Sequence, residues 1–195
     1  MPQVEIFTPT GVIAGTTLRD DLVQSPDLVS PVAIERARWY PIDGASPEHR
    51  GSVPVPPDDV LIVVTFETDP IVHSTWYALD LEVGPYRVRA RMPVVPGFDP
   101  ARALARPGGP FVALWDGSIE LIDRPETGVA HRDSVHVNRY AVERVESSIM
   151  LGFFFPGAEL ETPNVAGIDG ADDDRRPMRT MASMTANAGA GTTSS

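Results

Sequence analysis

The chain of 195 residues has 27 acidic and 16 basic side chains, all of the latter arginine, and a net charge of −11. This negative charge opposes the counterion release that drives nucleic-acid binding, and it also opposes docking on anionic lipids. Because the sequence contains no cysteine, disulfides and thiol catalysis are excluded. We therefore expect the partner to be a protein or a small molecule, and neither a nucleic acid nor a membrane.

The first part of the chain predicts β-strands. Apolar and polar residues alternate over 4–8 and again over 12–16, and the Pro9-Thr10-Gly11 turn between them indicates a hairpin. Extended structure resumes over 28–42. The segment 60–68 is β-branched and apolar almost throughout, which is typical of a strand buried on both faces.

The second part of the chain repeats this order. The segments 76–83 and 86–92 predict another hairpin. The segment 111–122 contains Asp116-Gly117, which indicates either a two-residue hairpin turn or one continuous strand with a bulge. The segment 134–147 closes the pattern. Its candidates for the core are Val135, Val137, Val142 and Val145.

The match between the two parts favours a tandem duplication. Ile34 and Ile42 are as far apart as Leu114 and Ile122, and each pair ends in an Ile-Asp step. The alternative is a single β-rich domain in which the patterning is coincidental. Units of this size bury too little surface to be stable alone, so two copies would pack together.

These patterns predict an all-β protein with minor helical turns, built from two pseudo-repeated small β-barrels. We place the first barrel at 1–70 and the second at 71–156. The tail, 157–195, is acidic and then rich in Gly, Ala, Ser and Thr, and it has few large apolar residues. Such a segment cannot offset the entropy lost on ordering, so we expect it to be disordered.

Several short motifs carry a resemblance to a known family. Val4-Glu5-Ile6-Phe7-Thr8 and Ile13-Ala14-Gly15 lie in the first part, and Phe111–Asp116 and Val135-His136-Val137-Asn138 lie in the second. In these motifs the chain resembles a family of small bacterial β-domains of unknown function, over most of residues 4–147. The resemblance implies a compact SH3-like or Sm-like barrel, here as a divergent tandem pair, and no assigned chemistry.

An arginine-rich strand is the candidate anion site. Arg87, Arg89 and Arg91 alternate with apolar residues and therefore share one face of the strand. With Arg102 nearby in sequence, they could bind a phosphate or a carboxylate through bidentate hydrogen bonds. The alternative is a solvated face paired with acidic residues across the hairpin.

The candidates for metal binding and catalysis are few. His131, Asp133 and His136 are metal-competent, but a strand would not place all three on one face unless it bulged. The sequence has no nucleophile elbow, no lysine for Schiff-base chemistry and no glycine-rich nucleotide motif. We therefore expect a protein that is not an enzyme and needs no cofactor.

The segment 149–155 is the most apolar in the chain. It is either a final strand buried on both faces or an exposed anchor for another subunit. Its candidate partner-binding residues are Ile149, Met150, Leu151, Phe153, Phe154 and Phe155.

The leading functional hypothesis is a non-catalytic structural or protein-interaction module, which self-associates or docks on a partner through strand edges and the segment 149–155. The alternative is a receptor for a phosphate-bearing small ligand on the Arg87, Arg89 and Arg91 face. Because the first residues lack the basic and apolar regions of a secretory signal, we expect a cytoplasmic protein.

Overall fold

The computed structural model describes residues 1–19, 22–23, 28–66, 74–94, 109–148 and 154–161, without the side chain of Val94. They lie within one compact unit, Met1–Pro163. They form a sheet of 12 strands and two short 3-10 turns, Pro57–Asp59 and Pro125–Thr127. The strands are β1 (Gln3–Thr8), β2 (Gly11–Thr17), β3 (Val32–Pro41), β4 (Glu48–His49), β5 (Ser52–Val55), β6 (Ile62–Thr65), β7 (Thr75–Val83), β8 (Tyr86–Val94), β9 (Phe111–Leu121), β10 (Ala130–Asn138), β11 (Val142–Ser147) and β12 (Glu159–Glu161).

All strands belong to one sheet, in the order β12-β11-β7-β8-β9-β10-β6-β1-β2-β3-β4, with β5 also paired to β3. Neighbours are antiparallel except β11 and β12, which are parallel. The all-β prediction is confirmed. The two separate barrels are not confirmed. The described strands form one sheet that does not close, and β6 joins its two halves by pairing with β1 on one side and with β10 on the other.

The two halves of the sheet have the same strand order. In the first half, residues 3–65, the order is β6-β1-β2-β3, followed by β4 and β5 on β3. In the second half, residues 75–147, it is β11-β7-β8-β9-β10. In each half, therefore, the last strand pairs with the first, and the strand before the last lies at the opposite end.

The register of the strand pairs repeats as well. The β1–β2 hairpin ends with Thr8 opposite Gly11, and the β7–β8 hairpin ends with Val83 opposite Tyr86. The pairing of β2 with β3 shifts once, and so does that of β8 with β9. The two hairpins thus have turns of equal length, and each pairs with the next strand of its half through one register shift.

This irregularity is a β-bulge in β3 and in β9. Arg36-Ala37 and Asp116-Gly117 each face one residue of the neighbouring strand, and the main chain is left-handed at Arg36 (φ 53°) and at Asp116 (φ 52°). Strand β9 runs unbroken through its bulge. The prediction of a two-residue turn at Asp116-Gly117 is therefore wrong, and the bulged continuous strand is confirmed.

The core consists of two apolar clusters that share β1 and β6. Val63 lies in the cluster of the first half, whereas Ile62 and Val64 belong to that of the second. All three are at most 1 % exposed. This confirms that β6 is buried on both faces, because successive side chains of a strand point to opposite sides.

The segment 134–147 differs from expectation in one respect. It forms two strands, β10 and β11, separated by a turn at residues 139–141. The four valines predicted to face the core are all buried: Val135, Val137, Val142 and Val145.

The predicted disordered tail begins with an ordered stretch. Residues 159–161 form β12 on the edge of β11, whereas 162–195 lie outside the described residues. In the part of the chain that the structure describes, no helix is long and apolar enough to cross a membrane.

Candidate functional site

The arginine-rich face lies on β8 and is paired with carboxylates. Arg87 Nη2 donates to Glu82 Oε1 at 2.8 Å, and Arg89 Nε donates to Asp80 Oδ2 at 3.1 Å. Arg89 Nη2 also lies 2.9 Å from Glu120 Oε1. The hydrogen bond to Glu82 is the largest cause that raises the pKa of Arg87 above its ordinary value. These two guanidinium groups therefore already have anionic partners across the hairpin and on β9.

Arg91 is less tightly held. Its Nη1 lies 3.4 Å from Asp116 Oδ2, and both side chains are exposed. Together with Ser118 it lines an open cavity of about 470 Å³ that extends over β9, β8 and β7 to the end of β11. Arg102, predicted to join this face, lies outside the described residues.

The predicted metal cluster lies on β10. His131 and Asp133 are exposed, whereas His136 is half-buried. Among the described residues no three metal-competent side chains are close enough to hold an ion.

The apolar segment 149–155 is described only at its end. Phe155 is fully buried in the core of the second half, and Phe154 packs against the same cluster. Phe155 is therefore buried, but it lies in a turn at residues 154–157 and not in the expected strand. The other candidate residues lie outside the described part: Ile149, Met150, Leu151 and Phe153.

The strongest unpredicted feature is the junction of the two halves. Strand β10 pairs with β6 through His136–Val63 and Val137–Ile62. At the end of this pairing the Asn138 main-chain N–H donates to the carbonyl of Leu61 at 2.9 Å. The edge strand of one half thus continues the ladder of the other, and this main-chain pairing needs no particular side chains.

Side-chain hydrogen bonds support the junction in addition to the main-chain ladder. Arg132 forms two hydrogen bonds to the Glu5 carboxylate, at 2.8 and 2.9 Å, and both side chains are partly buried. The guanidinium of Arg124 donates to the carbonyl of Ile42 at 2.6 Å. Asn138 Nδ2 donates to the carbonyl of Val60 at 3.0 Å. Sequence spacing gives no signal for such contacts, because they join residues far apart in the chain.

Two aromatic residues complete the junction. The Tyr86 hydroxyl donates a hydrogen bond to the carbonyl of Thr8 at 2.9 Å. The Tyr86 ring packs edge-to-face with Phe7, with 5.3 Å between the ring centroids. Burial raises the pKa of Tyr86, so the phenol stays protonated and continues to donate. A cavity of about 530 Å³ lies beside this pair, between β1, β2 and β3 of the first half and β8 to β10 of the second.

His136 is the titratable group at the centre of the junction. Burial lowers its pKa, and a hydrogen bond with the main chain of Val63 partly offsets this effect. Its Nδ1 is buried and has no hydrogen-bond partner. A neutral imidazole therefore fits this position better than a charged one.

Comparison with known proteins found no matching family model, no matching curated protein and no matching solved structure. The candidate site consists of the β6–β10 junction and the edges of the sheet.

Proposed function

We propose that this chain is a non-catalytic structural or protein-interaction module, which self-associates or docks on a protein partner through its strand edges and the segment 149–155. We further propose that its halves are divergent copies of one five-stranded unit, to which the first half adds the two-residue strand β4. The repeated strand order and the matching bulges support the second proposal.

The observation that carries the functional proposal is the β6–β10 junction. It is an example, within the chain itself, of one edge strand recruiting another. Exposed edges carry unpaired main-chain donors and acceptors, which are templates for such pairing. The strands that correspond to those of the junction lie near the two ends of this sheet: β5 on the outside of β3, and β11 next to the three-residue strand β12.

Sedimentation velocity of the full chain over a range of concentrations tests the proposal. We expect an oligomer, or a stable complex recovered with a partner, that is lost in the double variant Met150→Asp and Phe153→Asp. Val129→Asp is the control, because this side chain is apolar and exposed elsewhere. A wild-type chain that stays monomeric at high concentration and recovers no partner would contradict the proposal. Truncation at 147 is a poorer test, since it also removes the buried Phe155.

The alternative function is binding of a phosphate-bearing small molecule on the arginine face. The exposure of Arg91 and its long contact to Asp116 favour this residue over its paired neighbours. A thermal-shift panel of nucleotides would test it. Stabilisation of the wild-type protein that is lost in Arg91→Ala, and kept in the control Arg50→Ala, supports the receptor function.

A further inference from the structure

The two ends of the sheet differ in their ability to accept a strand. At the internal junction, β10 directs the main-chain N–H of Asn138 to the carbonyl of Leu61. Main-chain groups of a strand alternate between its two neighbours, so His136, two residues earlier, directs its N–H to the same side. These two positions are the donors that β10 offers to β6.

Strand β5 is the counterpart of this part of β10. Val55 faces Val32 of β3, four residues before the bulge, just as Val137 faces Val112 of β9. The residues of β5 and its continuation that correspond to His136 and Asn138 are therefore Pro54 and Pro56.

Both of these prolines lack the donor that the junction requires. Pro54 nonetheless pairs with Ala33 of β3. A proline can occupy this position only if its nitrogen faces away from β3, on the outer side of β5. The outer edge of β5 therefore cannot repeat the pairing that joins β10 to β6. Proline on an edge strand is a known device against unwanted strand addition.

At the other end of the sheet, the edge of β11 has no proline and is covered by a short strand. Among the described residues, the outer edge of β11 is covered by β12, three residues that pair in parallel with Arg144, Val145 and Glu146. Glu159 and Leu160 of β12 are exposed. A short parallel strand with little burial belongs to the least stable parts of a structure.

An ion pair adds to the main-chain pairing of β12 with β11. Arg144 Nη2 donates to Glu161 Oε2, and Arg144 Nη1 lies 3.6 Å from Glu82 Oε1 of β7. The bond to Glu161 raises the pKa of Arg144. The edge of β11 therefore presents a cation next to its main-chain donors and acceptors.

We propose that the outer edge of β11 is the strand-accepting edge of this protein. Strand β12 occupies it in the free chain, and the partner is an extended protein segment that replaces β12. This inference rests on the proposed function and specifies its docking edge. The segment repeats the chemistry of Glu159-Leu160-Glu161, an acidic residue on each side of an apolar one, because an acidic side chain at the place of Glu161 can form the same ion pair with Arg144.

The test uses a fluorescein-labelled peptide of residues 157–163 and measures its anisotropy with full-length protein. In the chain, Glu161→Arg weakens β12 and frees the edge, and we expect the peptide to bind about two- to fivefold more tightly than to the wild type, the range of one exposed ion pair. The control Glu126→Arg makes the same charge change on the Pro125–Thr127 turn and leaves peptide binding at the wild-type level.

Charge reversal locates the contact. In the chain that keeps Glu161, Arg144→Glu also breaks the ion pair and frees the edge, but it should abolish binding of the acidic peptide, and a peptide with both glutamates changed to lysine should bind this variant. Equal binding to the wild type and the Glu161→Arg chain, or binding that ignores Arg144, would overturn the proposal.

A second experiment tests the β5 edge. Pro54→His and Pro56→Asn introduce the residues of the junction, and near-UV circular dichroism checks that the variants remain folded. Combined with Glu161→Arg they open both ends, and we expect concentration-dependent association that the Met150 and Phe153 substitutions do not remove. Absence of such association would overturn the role of the prolines.

The two levels of inference fail differently. If the peptide does not bind while the oligomer or complex that depends on Met150 and Phe153 persists, the β11 edge is wrong and the interaction function stands. If neither is observed, both are wrong.

Discussion

Arg36 in β3 and Asp116 in β9 hold the same position in the two halves of the sheet, and both have a left-handed main chain with φ near 50°. Each is the first residue of a bulge at which its strand pairs with the second strand of the preceding hairpin. Aspartate tolerates this conformation better than arginine does, because its short side chain can hydrogen-bond locally. The first half therefore carries more backbone strain at this point than the second.

This strain predicts a stabilising substitution. Arg36→Gly should raise the free energy of unfolding by about 0.5–1 kcal/mol, because glycine adopts positive φ without a steric cost. Urea unfolding followed by circular dichroism measures the change. Arg38→Gly, on the same strand but without positive φ, should lower stability instead. A loss of stability in both variants would contradict the assignment of strain to Arg36.

His136 predicts a pH dependence at the junction. Above pH 6.5 its imidazole is neutral in the folded and unfolded states. Below pH 6.5 the unfolded chain takes up the proton first, because burial lowers the pKa of His136 in the folded state. The free energy of unfolding should therefore fall between pH 6.5 and the lower, folded pKa.

The measurement compares urea unfolding at pH 7.5 and pH 5.5. His136→Gln should reduce the loss of stability at the lower pH. The control is His131→Gln, an exposed position on the same strand, and it should behave as the wild type. An equal pH dependence in all three proteins would show that other groups cause it.

The double burial of β6 predicts one cooperative unit. Ile62→Ala should cost about 2–5 kcal/mol and Ile62→Val about 0.5–1.5 kcal/mol, the usual range for fully buried positions. Although Ile62 lies in the cluster of the second half, the first half should unfold at the same denaturant concentration. Fluorescence of Trp39 in β3 and of Trp76 and Trp115 in the second half, each isolated by substituting the other tryptophans, would follow the halves separately. Two distinct midpoints would contradict this expectation.

The contact between Glu5 and Arg132 should couple measurably. In a double-mutant cycle with Glu5→Gln and Arg132→Met, we expect a coupling free energy of about 1 kcal/mol, at the upper end for ion pairs, because the contact is bidentate and partly buried. The matched pair Arg50 and Glu48 is more exposed, and its coupling should be smaller. A coupling of zero at Glu5 and Arg132 would mean that this ion pair contributes nothing to holding the halves together.

Local pattern predicted most of the strands and none of their long-range order. Alternation around Pro9-Thr10-Gly11 located the first hairpin. The apolar run at 60–68 indicated a strand buried on both faces, which the structure shows over the shorter range Ile62–Thr65. Equal spacing from Ile34 to Ile42 and from Leu114 to Ile122 aligned two segments that also match in register. These features are local, so a single sequence contains them.

The junction and the edges could not be predicted in the same way. Pairing of β6 with β10 depends on which strand edge each half leaves unpaired, and nothing in 60–68 specifies that partner. Strand β12 was missed because its three residues lie in a polar stretch and form a strand only beside β11. The bulge at Asp116-Gly117 was ambiguous because the same dipeptide also favours hairpin turns.

The alternation of Ile62, Val63 and Val64 between two cores has an evolutionary consequence. A gene fragment that encoded only the first half would produce a chain whose last strand exposes two large apolar side chains and an open edge, which is a template for aggregation. Recombination that separates the halves would therefore be selected against, however similar their architecture, and the two are expected to be inherited as one reading frame.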